Sequence, residues 1–198
     1  IRPIIRGRDI KRYGYEWADL WLIATFPSRH YDIEEYPAVK AYLLSFGIER
    51  LEQTGKKYVI NGEEVKARKK TNNKWFETQD SINYWQDFLN PKLFYADITQ
   101  RLNFCLCKEV MFCNNTTYFI SAKDEAILEH LKVYLNSPLI DWYYRTLSVQ
   151  LGESAVRMFS IYVLEIPIPP ITQKDIYKAY NLSQSEIDYI EKLAKLTY

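Results

Sequence analysis

The sequence lacks long apolar runs, has few cysteines and carries almost no net charge, and each shortage removes a class of protein. No apolar stretch approaches the roughly eighteen residues that a bilayer-crossing helix needs, which excludes a spanning helix. The three cysteines, Cys105, Cys107 and Cys113, are clustered, odd in number and unaccompanied by a signal peptide, and so read as reduced thiols in the cytoplasm. A zinc site would need a fourth ligand, and neither His30 nor His130 stands at finger-like spacing. Cys105 and Cys107 alternate as one face of a strand does, so they read as core residues. The formal net charge is +1, so the overall balance announces no anionic partner.

What the chain does have is apolar and aromatic material in quantity. It runs to 198 residues, of which 47% are hydrophobic, enough for one large domain with a packed core and too much for a disordered chain. Seventeen tyrosines and five tryptophans supply side chains with an apolar body and a polar tip, suited to core, interface or nucleic-acid surface alike. The charge is also unevenly placed. Residues 1–12 set Arg2, Arg6, Arg8, Lys11 and Arg12 against a single Asp9. Residues 50–74 set Arg50, Lys56, Lys57, Lys66, Arg68, Lys69, Lys70 and Lys74 against Glu52, Glu63 and Glu64. The stretch between them is acidic. Two basic segments on a neutral protein fit a DNA-facing side, and equally an ordinary solvated face.

The order of elements reads as α+β: a mixed β-sheet domain with packed helices and a short helical appendage at the C-terminal end. Ile1–Ile5 reads as a strand followed by a tight turn at Arg6–Asp9, and Leu20–Phe26 as a buried strand ended by Pro27. Tyr36, Val39, Leu43, Leu44 and Leu51 recur at helical spacing, which predicts one helix from Ile33 to about Thr54. Residues 55–74 read as a basic loop or hairpin turning at Asn61-Gly62. Strands are expected at Trp75–Glu77, Leu93–Ile98 and Val163–Ile168, and a hairpin from Met111–Asn114 to Thr117–Ser121. Asp124 caps a predicted helix through Leu135, and a second helix follows Ser137-Pro138. Two short helices, Ile171–Tyr180 and Ser183–Leu196, close the chain. The boundaries expected are 1–170 for the main domain and 171–198 for the helical tail. The chain opens at Ile1 in mid-strand without an initiator methionine, as a piece of a longer protein would.

Three stretches carry a resemblance. The first is Ile1-Arg2-Pro3-Ile4-Ile5-Arg6-Gly7-Arg8-Asp9-Ile10-Lys11-Arg12-Tyr13. The second is Lys74-Trp75-Phe76-Glu77 with Pro91-Lys92-Leu93-Phe94-Tyr95 and Asp97-Ile98. The third is Leu135-Asn136-Ser137-Pro138-Leu139, then Gly152, Arg157 and Ile166-Pro167-Ile168-Pro169. In this order they resemble the C-terminal specificity domain of TaqI-like adenine-specific DNA methyltransferases and type IIG restriction–modification enzymes. Relatives often have glycine where this chain has Asn181, and a paired glycine where Glu153 follows Gly152.

The resemblance implies a division of labour. An N-terminal methyltransferase domain of the same polypeptide would hold S-adenosylmethionine and, with an Asn-Pro-Pro-Tyr motif, a flipped adenine. Neither that motif nor a glycine-rich cofactor loop occurs in this chain, and Asn90-Pro91-Lys92 is no substitute. The chain is therefore expected to bind double-stranded DNA without modifying it, with no cofactor of its own, no membrane partner and no catalytic residue.

The residues expected to meet DNA are Arg6, Arg8, Lys11 and Arg12, and Lys66, Arg68, Lys69, Lys70 and Lys74. An arginine beside Gly7 can fork onto guanine, clamp a phosphate or pair with Asp9. Asn72 and Asn73 can read adenine through their amides or serve only as turn residues. Arg157 reads as structural or phosphate-binding, and Trp75 as core. Rival readings are a nuclease built on Glu64-Val65-Lys66, half of a type I specificity subunit, and a protein-interaction module.

Overall fold

The computed structural model describes residues 1–152 and 154–196. Strands β1 (Arg2–Ile5), β2 (Ile10–Lys11), β3 (Gly14–Tyr15) and β4 (Trp21–Leu22) come first, then helices α1 (Pro37–Leu44) and α2 (Ile48–Leu51). Next come β5 (Lys57–Ile60), β6 (Glu63–Lys66), β7 (Lys92–Ala96), β8 (Ile98–Thr99) and β9 (Cys105–Cys107). After β10 (Phe112–Cys113) and β11 (Thr117–Ser121) follow α3 (Glu125–Leu135) and α4 (Pro138–Leu147). The chain closes with β12 (Gln150–Leu151), β13 (Ala155–Arg157), α5 (Ser160–Val163), α6 (Ile176–Ala179) and α7 (Gln184–Leu196). Helices beside several small sheets make the α+β class plain.

By internal contact the chain falls into two units. One comprises Ile1–Arg2 and Leu22–Gln86; the other comprises Pro3–Trp21 and the chain from Asp87 on. The second unit is built around β7, the middle strand of the antiparallel order β11-β7-β9. Its residues alternate between two buried faces, as a period-two strand must. Leu93 and Tyr95 join Leu102, Phe104, Leu128, Leu135, Ile140, Tyr144 and Met158 in one cluster. Phe94 joins Ile5, Ile10, Cys105, Cys107 and Met111 in the other. Cys105 and Cys107 are thus core thiols, and burial pushes the Cys105 thiol up to about 12. Lys92 is fully buried on the same strand; its ammonium donates to the Glu109 carbonyl at 3.1 Å, and burial lowers its pKa.

Helices α3 and α4 cover the first cluster, and caps fix where they start. Asp124 accepts from the amide of Ala126 at 2.9 Å, and Ser137 accepts from that of Ile140 at 3.2 Å, with Pro138 at the first helical position. Helix α7 packs on α4. A left-handed Asn181 (φ 54°) stops the helical turn before it, as the sequence suggests. The Gly152 loop continues into Glu153, which lies outside the described residues.

In the first unit, β5 and β6 form the expected hairpin with Tyr58 opposite Val65. Asn61 and Gly62 adopt φ of 52° and 85°, the two left-handed residues that a tight hairpin turn demands.

The structure differs from the sequence reading in several elements. The helix expected over Ile33 to Thr54 is a 3-10 turn, α1 and α2, because Pro37 sets a non-helical Tyr36 and Gly47 takes φ 88°. Leu20–Phe26 keeps strand geometry only at Trp21–Leu22. Trp75–Glu77 is a turn closed by the Glu77 amide on the Lys74 carbonyl at 3.0 Å. Strands β10 and β11 are adjacent but not paired: β10 runs parallel to β1, and β11 lies antiparallel to β7. Val163–Ile168 is not a strand but the end of α5 and an irregular segment, since three nearby prolines cannot donate to a ladder. Ile171–Tyr180 is helical only at α6.

Candidate nucleic-acid interface

The nine basic residues singled out in the sequence form two groups, one in each unit, and the structure separates presenting residues from holding ones. In the second unit the group occupies the turn after β1. Arg6 forks onto Asp9 through Nε (3.0 Å) and Nη2 (2.8 Å), and its own amide reaches the same carboxylate at 2.9 Å. Asp9 is buried, and hydrogen bonding from Arg6 holds its carboxyl below the usual range. Gly7 donates to Thr116 Oγ1 at 3.0 Å, and a Cβ there would stand 2.5 Å from the Thr116 carbonyl oxygen. Only glycine fits this approach.

Arg8 projects from this locked turn, exposed and with no side-chain hydrogen bond or salt bridge among the described residues. It borders a cleft of about 420 Å³ whose other walls include Ala96, Asp97, Ile98, Asn114 and Thr116. Asp97 is held by Arg157 at 2.9 Å, which gives that arginine a structural partner. Lys11 makes an exposed pair with Glu16 at 3.6 Å. Arg12 lies over the Tyr13 ring at 5.0 Å and donates from Nη2 to the Asn136 carbonyl at 3.4 Å, while its buried Nε has no hydrogen-bond partner among the described residues.

In the first unit the basic residues lie on β6 and the loop after it. Arg68 turns inward, and its guanidinium donates to the carbonyls of Leu51 (2.7 Å), Glu77 (2.8 Å) and Trp75. Burial lowers its pKa. Beside it, buried Gln53 donates to the carbonyls of Lys74 (3.1 Å) and Glu77 (2.9 Å) and accepts from Thr71 Oγ1 at 2.7 Å. Asn73 donates to the carbonyls of Thr78 and Gln79, and Glu77 accepts from the Lys74 amide at 2.7 Å. The 67–78 segment is therefore tied at Arg68, Thr71, Asn73, Lys74, Trp75, Glu77 and Thr78.

Lys66, at the end of β6, and Lys69, Lys70 and Lys74, in the loop, are exposed and without a salt bridge among the described residues, with the Lys74 ammonium 5.6 Å from the Phe76 ring centroid. Lys66 stands directly opposite Lys57 across the hairpin, and Lys57 is itself ion-paired with Glu64. Trp75 is half-buried, and the ring that fills the core is Phe76. Glu64 is engaged by Lys57 at 2.9 Å, and no group of three or more His, Cys, Asp or Glu side chains among the described residues is placed to hold a metal ion.

Sequence reasoning did not find the holding residues. Gln53 and Thr116 carry no local signal, because each acts on chain distant in sequence. Asn136 stood within a marked stretch without a role. Its Oδ1 accepts from the Phe104 amide at 2.9 Å, and its Nδ2 donates to the carbonyls of Phe104 (2.8 Å) and Lys132 (2.9 Å). It pins the α3–α4 joint to the segment before β9. Arg145 acts similarly, donating to Asp141 (3.1 Å) and to the carbonyls of Ser154 and Gln100.

The family model described as the TaqI-like C-terminal specificity domain matches residues 2–168, and the chain belongs to that family. A comparison with curated proteins gives no match. As a specificity domain the chain serves DNA target recognition in a restriction–modification setting and is not itself the catalyst. No helix among the described residues is long and apolar enough to cross a membrane.

Proposed function

We propose that this TaqI-like specificity domain reads a short duplex DNA sequence for a type IIG restriction–modification enzyme in the cytoplasm. In doing so it sets the target adenine before a methyltransferase domain of the same polypeptide. S-adenosylmethionine would belong to that domain, since the present chain has no motif to hold it.

The observation that carries the reading is the braced basic loop. Lysines spread over a floppy segment lose side-chain and backbone entropy on binding, whereas Arg68 and Gln53 tie the loop that carries Lys69, Lys70 and Lys74 to the carbonyls of Leu51, Lys74, Trp75 and Glu77, and Lys66 is held in the β5–β6 hairpin. Exposed ammonium groups without a carboxylate partner among the described residues, carried on a braced frame, fit phosphates at set spacing. Neutralised phosphates release counterions and supply sequence-independent affinity. In the other unit Lys11, in its exposed pair with Glu16, and Arg12, beside Tyr13, add positive charge for phosphates. Arg8, with its fork free beside a cleft, is suited to a base edge. Arg6 and Arg68 shape these surfaces rather than touch DNA.

The test is retention of a random duplex pool by the chain at two salt concentrations, followed by sequencing. Salt-sensitive binding with an enriched motif is expected. Binding that is indifferent to salt, or absent at low salt, overturns the reading and favours a protein partner.

A further inference from the structure

Asn72 and Asn73 are adjacent in sequence but have opposite fates. Asn73 is consumed by the fold: its Nδ2 donates to the carbonyls of Thr78 (3.0 Å) and Gln79 (2.9 Å), and its amide to Thr71 Oγ1 (3.0 Å). Asn72 is exposed, and its carboxamide has no hydrogen-bond partner among the described residues. It lies in the loop held by Arg68 and Gln53, between the tied residues Thr71 and Asn73, with Lys69 and Lys70 before it in the chain and Lys74 after it.

A carboxamide carries one acceptor and two donors in a plane. Those groups match adenine in the major groove, where N7 accepts and the N6 amino group donates, and no other base shows the same pair. Lysines on both sides supply the phosphate contacts that bring such a group to groove depth, and the fixed backbone sets its angle. A free carboxamide on a floppy loop would lack that aim.

We infer that Asn72 is a specificity-determining residue that reads one adenine of the recognition sequence through N6 and N7. The inference rests on the duplex-reading function proposed above, and the experiment separates the two. The wild-type chain, N72A, N72D and N73A are each bound to the random duplex pool at two salt concentrations, with retained sequences and salt dependence both scored.

With N72A, preference at one A·T position should fall by about 5- to 100-fold while the other positions and the salt slope stay unchanged. N72D should shift that position toward cytosine, whose N4 donates to a carboxylate. N73A, which unties the loop, should weaken every position together. An unchanged motif with N72A, while the wild type still enriches one, overturns the role of Asn72 and leaves the duplex-reading function standing. A wild type that binds salt-sensitively but prefers adenine nowhere also overturns it. Salt-independent or absent wild-type binding removes both readings.

Discussion

Gly7 and Asp9 show how much of this protein hangs on single side chains in the turn after β1. A methyl group at position 7 would meet the Thr116 carbonyl at 2.5 Å, a clash that backbone must yield to relieve. G7A should therefore cost about 1–3 kcal/mol in urea unfolding, as overpacked sites do. Asp9 gives a pH test. Its folded pKa is lowered, chiefly by hydrogen bonding from Arg6, so its stabilisation is present above the ordinary carboxylate pKa of about 3.9. That stabilisation is lost as pH falls through the lower folded value. The stability gap between wild type and D9N should be constant above about pH 5 and shrink in stronger acid, as read from urea midpoints across pH.

At the scale of elements, the joints matter more than the helices and strands they connect. The α3–α4 joint depends on Asn136, whose amide satisfies both backbone groups of Phe104 in a buried setting. N136A should cost about 3 kcal/mol, measured by chemical unfolding, because a buried amide and a carbonyl are left without a partner. The basic loop illustrates the converse, a joint built to display. Replacing Lys69 and Lys70 by alanine should leave unfolding unchanged, since neither makes a salt bridge among the described residues. The dependence of log K on log salt should become shallower by about 0.9 for each phosphate that the variant no longer neutralises.

For the molecule as a whole, the burial is uneven. Both hydrophobic clusters lie in the unit that contains β7, and α1 and α2 bury no residue. Opening free energy follows buried apolar surface, so different parts of one chain can open independently. Amides of β7, β9 and α3 should exchange last in native-state hydrogen exchange, and those of α1 and the β5–β6 hairpin markedly earlier. Uniform protection across both units would count against this division.

Much of the outline was legible without coordinates. Asp124 and Ser137-Pro138 announce their helices because capping is local chemistry, and Asn61-Gly62 announces its hairpin because few residues accept left-handed backbone. The alternation of Cys105 and Cys107 marked core thiols, since a strand repeats every two residues. Three stretches sufficed for the family, and the same sequence supplied every basic residue of the candidate interface. Folding had to decide which of those residues are free. Arg6 and Arg8 look alike in sequence, as do Arg68 and Lys69, or Asn72 and Asn73. One of each pair is held by Asp9, by three carbonyls or by the Thr78 and Gln79 carbonyls, and the other is exposed with no such tie. The partner of β10 was equally hidden, because β1 lies about a hundred residues away and strand pairing is a long-range choice. Local rules determine what each segment can be. Which polar groups remain for a ligand is settled only when distant backbone has claimed the rest.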